Sequence, residues 1–493
     1  MILFNILGFG MSDRKKKVFS GFIWRLAERF GAQGVSLVVS IILARLIDPE
    51  FHGDVAIVLI VTTIMDVFVD GGLAQALIQK KNTDELDYSS VFFFNFFLSL
   101  IIYLLTWFLT PVLAAFFNSS ELTPLIRVLG LSIILNGLKN VQIAYVSKKL
   151  QYRLFFFSTL GGTLISAVVG LWMAYNGYGV WSLVAQLLTN NAIDTLILWI
   201  TVEWKPRWMF SGSRLKGLFS FGWKIFFSNL FGAVCENLNQ LVVGKAYSTT
   251  DLAYYNKGAH FPEITISNIL PAIDGVLFPT LSEEQASIEN IKSITKRGLR
   301  ISNYVVFPIM AGMAVCANAL IGFLLTDKWI FSVIFLQIFC LRSLVRPFVN
   351  VNFDAINAIG RSDATLKLEI VKRVLGILLL LIAIPFGVEA MAWSAFLSML
   401  ISFIVTAVTS GRIIKYGLFE QLKDNLPNII LTATMALIVW CIGLINLDPG
   451  VILLLQVISG VVVYVGLSAI FRMSDFHYIL DTVKDFLAKR KTK

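Results

Sequence analysis

The stretch YSSVFFFNFFLSLIIYLLTWFLTPVLAAFF at residues 88–117 contains no Asp, Glu, Lys or Arg. About 20 predominantly apolar residues are enough to cross the hydrocarbon core of a bilayer as a helix. Similar apolar blocks recur along the whole chain and are separated by short polar segments. A membrane β-barrel would instead show strands of about 10 alternating residues. The pattern therefore predicts an all-α polytopic membrane protein.

The composition supports the same class. Of the 493 residues, 57% are apolar and 15% are charged, whereas a soluble domain carries about 25% charged residues. This excludes a soluble enzyme, a secreted disulfide scaffold and a disordered chain. We expect fourteen transmembrane helices. Their predicted ranges are 18–46, 54–79, 88–117, 122–146, 154–176, 178–202, 217–246, 251–281, 298–326, 330–358, 364–385, 388–411, 425–445 and 449–471.

Motifs for catalysis, metals and nucleotides are missing from the sequence. The four cysteines are far apart and form no CxxC pair, and the three histidines show no metal-ligand spacing. No GxxxxGK[ST] or GxGxxG stretch is present to bind a nucleotide phosphate. We therefore expect no enzyme activity, no catalytic residue, no metal and no cofactor, and energy for any transport from a gradient or mass action.

The distribution of basic residues predicts the orientation. With the amino terminus in the cytoplasm, the cytoplasmic segments hold 28 of the 41 Lys and Arg residues. The outer loops hold only Arg45, Lys245 and Lys328. Cytoplasmic loops carry an excess of Lys and Arg in membrane proteins. We therefore expect both termini in the cytoplasm, a location in the cell inner membrane, and no nucleic-acid partner despite the net charge of +10.

Two halves of the chain are similar to each other. LARLIDPEFHGD at residues 43–54 is similar to VGKAYSTTDLAY at 243–254. Six predicted helices separate them, so both repeats begin on the same side, as in transporters whose parallel repeats enclose a central cavity. The predicted organisation is a basic amino terminus (1–17), an N-lobe of six helices (18–202), a linker (203–216), a C-lobe of six helices (217–411), two further helices (412–472) and an amphipathic basic tail (473–493).

The first ten residues are apolar and precede the basic run at residues 14–17. A secretory signal has its charges before its apolar region, so this order is wrong for one. We expect residues 1–10 to be an upstream extension of little function, with Met11 as the better start.

Several motifs resemble a known family. They are Trp24-Arg25, ARLIDPEFHG at 44–53, DGGLAQALIQ at 70–79 and FPTLS at 278–282. The sequence resembles the polysaccharide-exporter branch of the MOP flippase superfamily, and within it the Wzx-type lipopolysaccharide and colanic-acid exporters. The resemblance extends over about residues 12–472. His52 departs from it, because the family more often has Phe or another bulky residue there.

The resemblance implies a function. A flippase of this branch moves an undecaprenyl-diphosphate-linked oligosaccharide from the cytoplasmic to the outer leaflet by alternating access, for surface polysaccharide biosynthesis. Such a flippase is embedded in the lipid bilayer. Its expected partners are the polymerase and the glycosyltransferases of the same pathway.

Ionisable side chains inside apolar spans are costly and mark pathways or buried pairs. Guanidinium groups suit a diphosphate because their charge is permanent and their donors form a fixed fork. We therefore expect a basic cavity that binds the head group, although mutual pairing or snorkelling to the interface is the alternative. Lys139 and Arg127 are expected to be structural. The candidate substrate-binding residues are Arg25, Arg29, Lys224, Lys257, Arg342 and Arg346.

Asp66 and Asp70 are candidates for coupling transport to Na⁺ or H⁺ because they share a helix face. The alternative for Asp70 is that it ends or kinks a helix beside Gly71-Gly72, its carboxylate satisfying freed backbone groups.

The competing function within the same superfamily is a cation-coupled antiporter for multiple drugs or organic cations. That function requires an acidic, aromatic cavity, and the excess of Arg and Lys within the spans argues against it. A membrane glycosyltransferase or polymerase is disfavoured because every predicted outer loop is short.

Overall fold

The computed structural model describes the backbone of residues 13–445, 447–478, 480 and 481, and the side chains of these residues except 13–23 and 25–30. The described chain consists of α-helices with two short 3-10 turns and contains no strand, which confirms the predicted all-α class. The helices are α1 (Asp13–Leu46), α2 (Pro49–Asp70), α3 (Leu73–Gln79), α4 (Glu85–Phe116), α5 (Leu122–Leu129), α6 (Leu131–Lys148), α7 (Tyr152–Tyr175), α8 (Val180–Thr201), α9 (Gly212–Ala246), α10 (Thr249–Glu283), α11 (Ile288–Val315), α12 (Ala317–Leu325), α13 (Ser332–Ala358), α14 (Ser362–Ala383), α15 (Val388–Ile413), α16 (Leu418–Gly443) and α17 (Pro449–Ile470).

Twelve helical segments within the described residues are long and apolar enough to cross a membrane. Two predicted spans are not among them. In the first, the side chains are described without a gap only over the apolar stretch Gly31–Leu46. In the second, the first half of α14 carries five charged residues between Asp363 and Arg373. The chain is therefore a multi-pass membrane protein, and the count of fourteen stays a prediction.

Glycines divide two of the predicted helices. The predicted helix 54–79 is two helices, α2 and α3, because Gly71 and Gly72 have φ of 53° and 70°, values that favour glycine. The carboxylate of Asp70 accepts hydrogen bonds from the backbone N–H groups of Gly72 and Ala74. The predicted helix 122–146 is likewise divided at Gly130 into α5 and α6. Asp70 thus ends α2 and accepts hydrogen bonds from the backbone N–H groups freed there, which is the alternative that the sequence left open for it.

The described residues divide between Ala253 and Tyr254 into two compact units. The core of the first unit contains a cluster of aromatic rings, in which the Trp204 ring centroid lies 5.7 Å from that of Tyr88 and 6.2 Å from that of Phe92. The core of the second unit includes Phe348 and Phe403, with centroids 4.5 Å apart. The repeat boundaries predicted at residues 203–216 remain predictions.

Two glycines bring the backbone of other segments of the first unit very close: Gly72, after α2, meets α9, and Gly53, on α2, meets the first residue of α10. A Cβ atom on Gly72 would lie 2.2 Å from the carbonyl oxygen of Gly222, and one on Gly53 would lie 1.8 Å from the carbonyl oxygen of Thr249. Between these points the rings of Phe68 and Phe226 meet edge to face at 5.3 Å. These two contacts therefore exclude any side chain larger than hydrogen at Gly53 and Gly72.

Replacement of Gly72 by alanine tests this packing. Gly177 is the matched control, because it has φ of 78° but nothing within 4 Å of its Cβ position. Gly177→Ala should cost about 1 kcal/mol, the penalty of a left-handed backbone. Gly72→Ala should cost about 1 to 3 kcal/mol more, because the added methyl meets a backbone carbonyl. Thermal unfolding in detergent measures both, and equal losses would contradict the close contact.

Candidate functional site

A polar cluster lies inside the first unit. The Lys139 ammonium on α6 lies 3.0 Å from the Asp194 carboxylate on α8 and donates a hydrogen bond to the side-chain oxygen of Asn191. Both members of the ion pair are mostly buried, with side chains 13% and 17% exposed. A buried charge needs such a partner because hydrocarbon does not solvate it. Lys139 is therefore structural, as expected.

Asp66 belongs to the same region of the first unit. The side-chain amide of Asn136 donates a hydrogen bond of 2.7 Å to Asp66 Oδ2, and Lys139 is close enough to interact with Asp66 electrostatically. Asp66 Oδ1 is buried and has no hydrogen-bond partner among the described residues. The two aspartates therefore differ. Asp66 has a carboxylate oxygen without a hydrogen-bond partner among the described residues, whereas the Asp70 carboxylate accepts hydrogen bonds from the backbone at the end of α2.

Lys224 lies on α9, two residues after the Gly222 contact, and its side chain is exposed. In the part of the chain that the structure describes, its ammonium has no hydrogen-bond or ion-pair partner. Arg25 and Arg29 lie on α1, but their side chains fall outside the described residues. The binding roles of these three residues stay predictions.

Two candidate arginines meet in the second unit. Arg342 and Arg346 lie one turn apart on α13, and Arg346 Nη1 forms a 2.7 Å ion pair with Glu263 Oε2 on α10. Arg342 lies within electrostatic range of both Arg346 and Glu263. Its Nε is buried, and its guanidinium forms no hydrogen bond or ion pair with the described residues. Two cations thus share one carboxylate, which leaves a local charge of +1.

Lys257 has a different environment. Its side chain is buried, 8% exposed, and its ammonium lies 5.3 Å from the centroid of the Trp329 ring. The negative face of an aromatic ring attracts a cation. Lys257 is therefore held by an indole in the core of the second unit, whereas Lys224 is exposed.

The second unit also holds two acids in contact. The carboxyl groups of Asp274 on α10 and Asp354 on α13 are hydrogen-bonded to each other, and Asn350 donates to Asp274. Two carboxylates cannot share a hydrogen bond unless one carries a proton.

Sequence reasoning missed the partners of the charged groups. Asp194 is the only acidic residue of α8, and Asn190 and Asn191 lie one turn before it. These three polar residues in an apolar span could have indicated a partner for a buried charge on another helix. The other acid, Glu263, is 55% exposed.

An all-α bundle with ionisable groups inside its spans is the fold of a polytopic membrane transport protein. The comparisons with known proteins give the family. A model described as "Polysaccharide biosynthesis protein" matches residues 42–334. The chain belongs to this polysaccharide biosynthesis protein family, which confirms the resemblance predicted from its motifs.

Relatives with assigned names are distant. The chain is 24% identical to the succinoglycan biosynthesis transport protein ExoT of Rhizobium meliloti over 63% of each chain. It is 24% identical to the lipopolysaccharide biosynthesis protein WzxC of Escherichia coli over 73% of each chain. It is 23% identical to the teichuronic acid biosynthesis protein TuaB of Bacillus subtilis over 82% of this chain and 86% of that one. The match to ExoT thus spans less than two thirds of that protein.

Solved structures share the fold. The lipid II flippase MurJ in an inward closed conformation matches with a TM-score of 0.73 and 16% identity, over 91% of this chain and 98% of that one. An inward-facing multidrug resistance MATE transporter of the MOP superfamily matches with a TM-score of 0.63 and 16% identity, over 84% and 98%. At these identities the likeness establishes the fold alone.

Removal of the Lys139 ammonium tests its structural role. Lys139→Met leaves Asp194 buried and unpaired, and should lower the stability by about 3 kcal/mol. The double variant Lys139→Met with Asp194→Leu removes both charges and should recover at least half of that loss. Thermal unfolding in detergent is the measurement.

Arg361→Met provides the control, because Arg361 and its partner Asp363 are exposed by 53% and 57% and exposed ion pairs contribute little. The control should unfold like the wild type. A double variant no more stable than Lys139→Met would contradict the assignment of Lys139 as the partner of Asp194.

Proposed function

We propose that this protein is a flippase that moves a polyprenyl-diphosphate-linked oligosaccharide from the cytoplasmic to the outer leaflet of the cell inner membrane. Transport by alternating access, without catalysis, supplies the lipid-linked precursor of a surface polysaccharide. The family match over residues 42–334 and the transport and lipopolysaccharide names of the relatives support this proposal. The orientation with both termini in the cytoplasm rests on the distribution of Lys and Arg.

The observation that carries the proposal is the guanidinium of Arg342. It lies within the membrane-spanning helix α13 and has no ion-pair partner among the described residues, while its neighbour Arg346 is held by Glu263. Leaving a charge unpaired within a membrane is costly, so such a group is retained for function. A diphosphate is the ligand whose charge and acceptor geometry an arginine matches.

The sign of this charge separates the two functions compatible with the fold. An organic cation would be repelled by Arg342 and Arg346 with their single carboxylate, whereas an anionic head group is attracted. The exposed ammonium of Lys224, which has no ion-pair partner among the described residues, is a further cation in the first unit. The polymerase and glycosyltransferases of the pathway are the proposed partners, since they supply and consume the lipid-linked sugar.

For the coupling ion we favour Asp66 over Asp70. Asp66 Oδ1 is buried and has no hydrogen-bond partner in the described part of the chain, so it is available there to a proton or Na⁺. The carboxylate of Asp70 already satisfies two backbone N–H groups at the end of α2.

Export measurements in a strain that lacks the gene test the function. Arg342→Met and Lys224→Ala should each reduce translocation of the lipid-linked oligosaccharide by about tenfold or more, because each removes a charge-assisted contact with the diphosphate. Precursor should accumulate on the cytoplasmic side while the protein stays in the membrane.

The matched controls are Arg412→Met and Lys367→Ala, which remove exposed charges near the ends of membrane helices. Both should complement the deletion fully. Normal surface polysaccharide in both Arg342→Met and Lys224→Ala would refute the basic binding site. Unaffected polysaccharide in the deletion strain, with loss of organic-cation efflux, would refute the flippase function itself.

Substitution of the two aspartates tests the coupling. Asp66→Asn keeps the shape of the side chain and the contact with Asn136 but removes the charge, so it should abolish the response of transport to an imposed ion gradient. Asp70→Asn retains an acceptor for the backbone and should keep that response. Reconstituted vesicles with a Na⁺ or a pH gradient provide the measurement, and a normal gradient response in Asp66→Asn would contradict the assignment.

A further inference from the structure

A groove opens on the surface of the first unit beside the first half of α4. It has a volume of about 580 Å³, within the range of ligand-binding pockets. One wall is formed by α4 and the other by the non-helical segment 202–211 that precedes α9. The lining is apolar and largely aromatic, and includes Phe93, Phe97, Ile101, Trp208, Met209 and Phe210.

The wall formed by segment 202–211 is fixed in place. The backbone N–H groups of Arg207 and Ser211 donate hydrogen bonds to the hydroxyl oxygens of Ser89 and Ser90 on α4. Trp204 is 4% exposed within the aromatic core, whereas Trp208 is 93% exposed. The segment thus inserts one indole into the protein and presents the other outward.

The outward indole closes the groove against α4. The ring of Trp208 stacks on that of Phe93 with centroids 5.0 Å apart and planes 23° from parallel. Phe97 and Ile101, one and two turns further along α4, are 55% and 54% exposed. The same helix continues with exposed Leu104, Leu105 and Phe108. The groove is therefore continuous with a lipid-facing stripe and runs about 12 Å along α4 from Phe93 to Ile101.

The rim of the groove carries a surplus of positive charge. Residues 80–87 and 203–216 together contain six basic and four acidic residues. Lys80 and Arg214 are engaged by acids, at 2.6 Å from Asp87 and 3.2 Å from Asp84. A backbone hydrogen bond from Asp87 holds the pKa of Asp84 below its usual value, so this acid stays charged.

Arg207 has a longer ion pair and a more exposed side chain than Lys80 and Arg214. Its Nε lies 3.5 Å from Glu85, and its side chain is 67% exposed. Arg207 directly precedes Trp208, so an exposed guanidinium with one long ion pair, to Glu85, is next in the chain to an indole that lines the groove. Basic residues at the edge of a lipid-facing pocket bind anionic head groups, and aromatic residues at the interface accommodate the chains below them.

We propose that this groove binds an anionic phospholipid of the surrounding bilayer, with its phosphate on Arg207 and an acyl chain between Trp208 and Phe97. The charge surplus at the rim selects the anionic head group, and the continuity with the lipid-facing stripe provides lateral entry from the bilayer. The bound lipid secures segment 202–211 against α4. This site is separate from the candidate head-group residues and does not depend on the flippase function.

Native mass spectrometry of the full-length protein in detergent tests the proposal. Phosphatidylglycerol should bind at least about fivefold more tightly than phosphatidylcholine with the same acyl chains. Arg207→Gln should abolish this preference, and Trp208→Ala should weaken the binding of phosphatidylglycerol by a similar factor. The controls are Arg361→Gln, at another exposed arginine, and Trp172→Ala, at an indole 61% exposed on α7, and both should bind as the wild type does.

A second measurement uses the unmodified protein. Phosphatidylglycerol with a photoreactive acyl chain should label residues 93–101 or 208–210. Labelling elsewhere, equal affinity for the two phospholipids, or unchanged binding in both Arg207→Gln and Trp208→Ala would overturn the proposal. Displacement of phosphatidylglycerol by equimolar undecaprenyl phosphate would also overturn it, because the occupant would then be the polyprenyl chain.

Discussion

The hydrocarbon interior of a membrane offers no hydrogen-bond partner, and this constraint governs where the helices of the chain can be interrupted. Helix α2 stops at Asp70, and the same residue supplies the acceptor for the backbone N–H groups of Gly72 and Ala74 that the break releases. At the start of α4, Asp84 and Asp87 cap each other's backbone N–H groups reciprocally. At both of these positions an aspartate supplies the acceptor for backbone N–H groups that have no partner within a helix.

The same constraint sorts the charged side chains within the spans into two groups. Lys139 and Arg346 are held by the acids Asp194 and Glu263 on other helices, and Lys257 lies over an indole ring. A charged group with such a partner stabilises the packing of the helices, and the partner weakens its electrostatic attraction for a ligand. Arg342 and Lys224 have no ion-pair partner among the described residues. The distinction between paired and unpaired groups thus ranks the candidate residues more sharply than their position in apolar segments does.

The helical class and most spans could be predicted because they depend on residues close in sequence. The 30 uncharged residues from 88 to 117 require a membrane helix whatever surrounds them. The partner of Lys139 could not be predicted in this way, because Asp194 is 55 positions away and is brought near only by the packing of α6 against α8. The close approach of Tyr103 on α4 to Gly130, 3.2 Å from the Cβ position, was not predictable for a related reason, because the two residues are 27 positions apart.

The count of Lys and Arg that predicted the orientation does not measure the charge available to a ligand. Besides Arg207 and Arg361, whose partners are exposed, five basic residues on the same predicted side are in ion pairs with acids. These residues are Lys80, Arg214, Lys292, Lys296 and Arg300. Acidic residues contribute little to orientation, so the topological rule ignores them. Binding of an anion depends on the charge that remains after pairing, and an exposed, weakly engaged group such as Arg207 therefore matters more than the larger number of neutralised cations around it.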